Sequence, residues 1–301
     1  MSPIRAMHEA TLTLPAPAKL NRMLHIVGRR NDGYHELQTL FQFLDYGDTL
    51  QFTRRADRHI SLTPALAGVR AEDNLIVRAA RLLQQECHCG LGADIVLDKR
   101  LPMGGGLGGG SSNAATTLLA LTRLWQLDIA IDDLAALGLR LGADVPVFIR
   151  GFAAWGEGIG ERLVPAPLDT PCFLVIHPGV GVATQTVFGH PELTRNSPPI
   201  SMARAVEGGR NDCEQVVRLL QPTIGEALDW LGQFGAAMLT GTGACVFCAL
   251  TDRAQADSIL CRLREEQGEG RHREWQAFVA RGCNISPLHA ALEDSRSKMM
   301  G

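Results

Sequence analysis

The stretch that most constrains this chain is Leu101-Pro102-Met103-Gly104-Gly105-Gly106-Leu107-Gly108-Gly109-Gly110-Ser111-Ser112-Asn113, with six glycines in seven positions. Glycine tolerates positive φ and carries no Cβ, so successive backbone N–H groups can turn toward one anion. Ala114, Leu118, Leu121 and Trp125 follow at helical spacing. With Ser111 or Ser112 as N-cap, the loop delivers its amides to a helix N-terminus, and polyphosphate is the expected ligand. A flexible linker is the competing reading, but linkers seldom join a strand-like run such as Ala93-Asp94-Ile95-Val96-Leu97 to an Ala/Leu-rich helix. The loop lacks the Gly-Lys-Ser/Thr ending of a P-loop. Its match to the dinucleotide pattern, Gly104-x-Gly106-x-x-Gly109, comes almost by default in so glycine-rich a run.

A length of 301 residues makes two domains the expectation. We place them at 1–160, holding the loop, and 161–301, with the glycine-rich crossing Gly151 to Glu161 as the boundary. Net charge −3 gives no basic field for nucleic acid or an anionic membrane, so any anion must be held locally. No run of 18 apolar residues and no apolar signal core is found, and residues 1 to about 10 read as a loose leader; a cytoplasmic protein is expected. The eight cysteines are scattered, and free thiols are expected in a reducing compartment. Cys245-x-x-Cys248 and Cys87-His88-Cys89 lack a second ligand pair, so no protein metal site is expected.

From Thr11 to Val27 the pattern reads as two strands joined at Pro15 and Pro17. Alternation puts Lys19 and Asn21 on one face. Such a lysine is either solvated or, with an asparagine beside it and a phosphate loop downstream, functional. Tyr34 and His35 follow a glycine turn, where they can cap a core or hold a planar ring. Leu37 to Phe52 reads as further strand with a turn at Asp45-Tyr46-Gly47-Asp48. Asn74 to Leu83 and Ile131 to Leu141 read as helices. Asp144 lies in apolar text, Gly142-Ala143-Asp144-Val145-Pro146-Val147-Phe148, and is either a helix cap or a carboxylate held in a cleft. In the second half, residues 189–210 read as loop, Asn211 to Leu220 and Pro222 to Trp230 as helices, and Ala236 to Leu250 as strand, glycine turn, strand. Glu265 to Glu274 reads as a charged link and the tail from Ser286 as disordered.

Together these landmarks resemble the galactokinase, homoserine kinase, mevalonate kinase and phosphomevalonate kinase (GHMP) superfamily. The motifs are Pro17-Ala18-Lys19-Leu20-Asn21, the Pro102 to Ser112 loop and the turn Leu239-Thr240-Gly241-Thr242-Gly243-Ala244. Asp32-Gly33-Tyr34-His35-Glu36-Leu37, Gly142 to Phe148, His177-Pro178-Gly179-Val180 and Asn211-Asp212-Cys213-Glu214 are similar to the branch that phosphorylates a cytidine-diphosphate derivative of methylerythritol in the non-mevalonate isoprenoid pathway.

The resemblance implies a two-domain α+β fold with the active site in the interdomain cleft. It implies ATP-dependent phosphorylation of the C2 hydroxyl of that substrate, with Mg2+ bridging the ATP phosphates. Asp144 would be the general base, and Lys19 would hold the hydroxyl and Asp144 in place. Pro102, Met103, Gly104, Gly105, Gly106, Leu107, Gly108, Gly109, Gly110, Ser111 and Ser112 would bind ATP. His35 would read the cytosine edge, Tyr34 and Phe188 would sandwich the ring, and Asn21 and Thr184 would contact the polar part of the substrate. The implied partner is this small molecule, with no nucleic acid, membrane or obligate protein partner. Tyr34-His35 separates this branch from the mevalonate and homoserine kinases, and Lys19 with Asp144 argues against a nucleotide-binding module without catalysis.

Overall fold

The computed structural model describes residues 11–300; the expected leader lies outside them. Instead of two strands, Thr11 to Val27 belongs to one long strand, β1 (Thr11–Arg29), paired antiparallel with β2 (His35–Arg55). The prolines do not break β1 because only one of its sides joins the ladder, leaving an edge where a missing N–H is tolerated. Irregularities between Pro17 and Lys19 and between Asn21 and Met23 absorb the residues that do not fit the register.

The expected turn at Asp45-Tyr46-Gly47-Asp48 is also continuous strand. This polar quartet marks a change of partner. Before it β2 pairs with β5 (Ala154–Gly158) and, at Phe43 and Leu44, with β10 (Gln276–Cys283); after it, Thr49 to Arg55 pairs with β4 (Gly92–Asp98). β2 is thus the spine of the molecule. Between β2 and β4 lie β3 (Ile60–Thr63), parallel to β4, and helix α1 (Leu75–Glu86), whose first turn is capped by the Asn74 side chain accepting from the Ile76 N–H.

The glycine loop then enters α2 (Gly109–Leu124), followed by α3 (Ile131–Leu139) and α4 (Val145–Arg150). The cap of α2 is Gly108 in the left-handed region, φ 71°, so Ser111 and Ser112 lie inside the first turn and neither is the N-cap. Phe43, Phe52, Leu83, Leu118, Leu121 and Phe148 belong to the buried core joining α1, α2 and α4 to the sheet.

The glycine-rich crossing contains β5, which pairs with β6 (Arg162–Pro165) and leads to β7 (Cys172–His177). Residues 184–232 form short helices: α5 (Thr184–Gly189), α6 (Met202–Val206), α7 (Glu214–Leu220) and α8 (Pro222–Gly232). β8 (Ala237–Leu239) and β9 (Val246–Leu250) extend the sheet next to β7, and α9 (Arg253–Gly268) takes in the first four residues of the expected charged link. Leu174, Ile176, Val216, Leu228, Leu231 and Val246 belong to this second core.

The tail from Ser286 is not disordered. It forms α10 (Pro287–Met300), which packs on β1, with Leu288 wholly buried and the Arg123 guanidinium donating to the Leu292 carbonyl. His289 fills the space beside Gly151, where a Cβ would lie 2.1 Å from the imidazole. No helix among the described residues is long and apolar enough to cross a membrane.

Candidate active site

The outer edge of β1 is where the site is assembled. Freed from β2, the Lys19 N–H donates to the Leu107 carbonyl at 2.9 Å and the Asn21 N–H to Thr240 Oγ1 at 3.0 Å. Farther along, the Leu24 and Ile26 N–H groups donate to the Arg210 carbonyl and the Asp212 carboxylate. One strand edge therefore holds the glycine loop, the third glycine turn and the Asn211-Asp212 segment together.

The glycine loop is fastened by its carbonyls. Ala244 N–H donates to the Gly104 oxygen, Cys245 N–H to Gly105, Lys19 Nζ to Gly106, Lys19 N–H to Leu107 and Ser112 N–H to Gly108. None of the N–H groups from Gly104 to Gly108 donates to another backbone group among the described residues. Five consecutive acceptors are engaged by protein, while the N–H groups of the same residues have no backbone acceptor. Glycine is needed at the tightest points of this arrangement. A Cβ on Gly106 (φ +74°) would lie 2.3 Å from the Thr240 carbonyl oxygen, and one on Gly108 (φ +71°) would touch Lys19 Cε and the Phe148 ring at 3.0 Å.

Lys19 is 2% exposed, and its three ammonium hydrogens have three acceptors: Asn21 Oδ1 at 2.5 Å, Gly106 O at 3.1 Å and Asp144 Oδ2 at 3.1 Å. Lys19 and Asn21 thus share a face, as the alternation predicts. Asp144 occupies the N-cap position of α4 yet makes no capping bond; its carboxylate is turned to Lys19 and to the cavity instead. Asn21 in turn donates to Thr39 Oγ1 at 2.8 Å, which fixes its amide oxygen toward the lysine.

These groups line a cavity of about 680 Å³. Its lining includes Lys19, Asn21, Asp144, Pro102 through Ser111, Thr184 and Phe188, with Leu66, Val69, Leu75 and Ile76 as an apolar wall. Ser112 is not in the lining; its hydroxyl is buried with no partner at the first turn of α2. Thr184 Oγ1 lies 2.9 Å from Thr242 Oγ1.

The expected ring sandwich is arranged differently. His35, not Tyr34, stacks on Phe188, with centroids 4.9 Å apart and planes at 20°, while Tyr34 is 59% exposed. Burial, then the Arg195 and Arg29 guanidinium groups, hold the His35 imidazole below its ordinary pKa.

Sequence reasoning assigned no role to four residues that shape the site. Thr240 receives β1 through its hydroxyl; Asn211 donates to the Leu239 and Gly241 carbonyls at 2.8 Å each; Lys99 lines the cavity and is paired with buried Asp48 at 2.8 Å; Arg195 contacts His35. Thr240 and Asn211 lie inside quoted motifs, so their positions were visible. Lys99 and Arg195 are carried into the site by the fold alone.

Family models match the two parts of the chain, GHMP kinases N terminal domain over residues 74–152 and GHMP kinases C terminal over 193–269. The chain belongs to the GHMP kinase family. Among relatives of this GHMP kinase, a 4-diphosphocytidyl-2-C-methyl-D-erythritol kinase of Chromohalobacter salexigens is 68% identical over 288 residues, 93% of this chain and 94% of the relative. One of Pseudomonas savastanoi is 55% identical, covering 97% and 99%. A crystal structure of 4-(cytidine 5'-diphospho)-2C-methyl-D-erythritol kinase superposes with a TM-score of 0.78 at 31% identity, covering 90% of this GHMP kinase and 99% of that chain. Homoserine kinase from Cytophaga hutchinsonii, at 15% identity and a TM-score of 0.64, shares the fold.

Proposed function

We propose that this GHMP kinase transfers the γ-phosphoryl group of ATP to the C2 hydroxyl of 4-diphosphocytidyl-2-C-methyl-D-erythritol, in the cytoplasm and as a step of non-mevalonate isoprenoid synthesis. The observation that carries the chemistry is the Lys19–Asp144 pair, 3.1 Å apart in the same cavity as the amide-lined glycine loop. The relatives' names supply the acceptor.

The site fits a polyphosphate nucleotide. The loop N–H groups offer donors for phosphate oxygens, while the Ser112 hydroxyl, buried behind the lining, does not reach the cavity, and the wall from Leu66 to Ile76 offers apolar surface for a base. Among the described residues no group of three His, Cys, Asp or Glu could hold a metal ion by itself. Mg2+ arriving with the nucleotide would supply charge neutralisation on the transferring group.

Asp144 accepts the proton of the C2 hydroxyl as that oxygen attacks the γ-phosphorus and ADP leaves. All three N–H bonds of Lys19 are already directed at Asn21, Gly106 and Asp144. Lys19 consequently acts on the hydroxyl through Asp144: it orients the carboxylate and ties it to the Gly106 peptide so that base and phosphate cradle stay in fixed relation. Asn21 and Thr184 line the same space and are read as contacts to the polar part of the substrate, and His35 with Tyr34 and Phe188 as the cytosine site. A division near residue 160 into an ATP-binding N-terminal domain and a C-terminal domain accompanies this reading, with α10 returning to the first.

The test is ADP release by the protein with Mg2+-ATP and 4-diphosphocytidyl-2-C-methylerythritol, run beside Asp144→Ala and beside mevalonate and homoserine. Turnover of the cytidine compound alone, lost in the variant, is expected. Turnover of mevalonate or homoserine instead would overturn the substrate assignment.

A further inference from the structure

Arg195 lies in the loop after α5, outside every motif read from the sequence, yet it joins both rings of the proposed cytosine site. Its Nε donates to His35 Nε2 at 3.2 Å, and its Nη2 donates to the Phe188 and His190 carbonyls at 2.8 Å each. Nη1 donates to the Leu193 carbonyl at 3.1 Å. Four of the five guanidinium hydrogens are thereby engaged within the protein, which leaves this arginine poorly suited to holding a phosphate.

A guanidinium can only donate and does not lose its proton. The partner nitrogen must then present a lone pair, so His35 is neutral with its single proton on Nδ1. Among the described residues Nδ1 has no hydrogen-bond partner, nor is it among the buried nitrogens left without one. Meanwhile the Phe188 carbonyl, held by the same arginine, fixes the ring that stacks on His35.

We propose that Arg195 is a positioning residue for base recognition: it locks His35 as the Nδ1–H tautomer, so the ring meets the substrate's base as a donor only. The proposal rests on the reading of His35 and Phe188 as the cytosine site. At N3 cytosine offers an acceptor and uracil an N–H. A fixed donor against that edge is matched by the first and opposed by the second, and an imidazole free to change tautomer would accommodate both.

The experiment has two arms. Long-range proton–nitrogen NMR of the ligand-free wild-type protein, with His35 assigned by comparison with His35→Ala, reads the tautomer directly. The proton is expected on Nδ1 at neutral pH, and a proton on Nε2 would overturn the proposal without recourse to any arginine variant. In the second arm, Arg195→Met and Arg195→Lys are assayed with the cytidine substrate and its uridine analogue. Arg195→Met is expected to mix the tautomers, raise KM for the cytidine compound about tenfold with KM for ATP held, and narrow the cytidine-over-uridine preference by a similar factor. Arg195→Lys, which can still donate one bond, should restore part of the preference. A preference unchanged in Arg195→Met, or KM for ATP rising in step, would overturn it. Should the wild type turn over neither compound, the substrate assignment fails, while the tautomer of His35 still decides whether Arg195 holds it.

Discussion

Lys19 and Asp144 form an ion pair of unequal burial: the lysine side chain is 3% exposed and the carboxylate 33%, so the carboxylate reaches the cavity while its counter-ion stays behind it. Replacing Asp144 with asparagine keeps the shape and the acceptor oxygen but removes the proton acceptor. We expect kcat to fall about 10²–10⁴-fold. Affinity for ATP, measured by calorimetry without the second substrate, should hold.

Lys19→Met should be harsher than Asp144→Asn. It leaves the buried Asn21 amide oxygen without its lysine donor, worth about 1–3 kcal/mol, and the Gly106 carbonyl with only the 3.4 Å contact of the Thr240 hydroxyl. Loss of kcat should therefore come with a lowered urea midpoint, whereas Asp144→Asn should lower kcat with little change in the midpoint.

The loop glycines should differ in their tolerance of alanine. A Cβ on Gly104 meets nothing within 4 Å, so only the left-handed backbone (φ +68°) opposes it, at about 1–2 kcal/mol. On Gly106 the same Cβ collides with the Thr240 carbonyl and must separate the loop from the third glycine turn. KM for ATP should rise far more in Gly106→Ala than in Gly104→Ala; equal effects would show that the fastening of the loop to residues 240–245 is not what shapes it.

The C-terminal helix should matter to the base. α10 buries Leu288 and places His289 Nε2 3.2 Å from the Phe148 carbonyl, in the same helix that Asp144 begins. Leu288→Ala should lower stability by about 2–5 kcal/mol in urea unfolding. A disordered tail would leave it unchanged.

Acid should destabilise the fold before its carboxylates titrate. Burial lowers the pKa of His25, His177 and His289, and both His25 ring nitrogens are buried without a partner. The unfolded chain takes up protons first, at about pH 6.5, so stability is full above that value and is lost as pH falls toward the folded-state values. The urea midpoint should be lower at pH 5.5 than at 7.5, and His25→Leu should flatten that slope; equal midpoints for the wild type would contradict it.

The legible parts of the site were those where a residue type is forced by backbone geometry or face. Six clustered glycines announced a loop of free amides, and alternation alone put Lys19 and Asn21 side by side. What was hidden depended on partners far along the chain. Pro15 and Pro17 read as breaks because nothing local says that β1 has a free edge, and Asp45 to Asp48 read as a turn because a change of strand partner leaves the same polar signature. The tail read as disordered since α10 has few apolar residues; its ordering comes from Leu288 and His289 meeting α4 and β1. Whether Asp144 caps a helix was undecidable until α4 was seen to begin without a side-chain cap.

The fastening of the glycine loop also dictates when the nucleotide site comes into being. Thr240, whose hydroxyl reaches the Gly106 carbonyl, lies 134 residues downstream of it, and the donors to Gly104 and Gly105 are Ala244 and Cys245. A nascent chain that has emerged only through α4 already carries every loop amide, together with Lys19 and Asp144, but not the partners that turn those amides outward. On the ribosome the proposed phosphate cradle therefore matures only after residues 240–245 have emerged, and ATP bound there could stabilise the chain only from that point on.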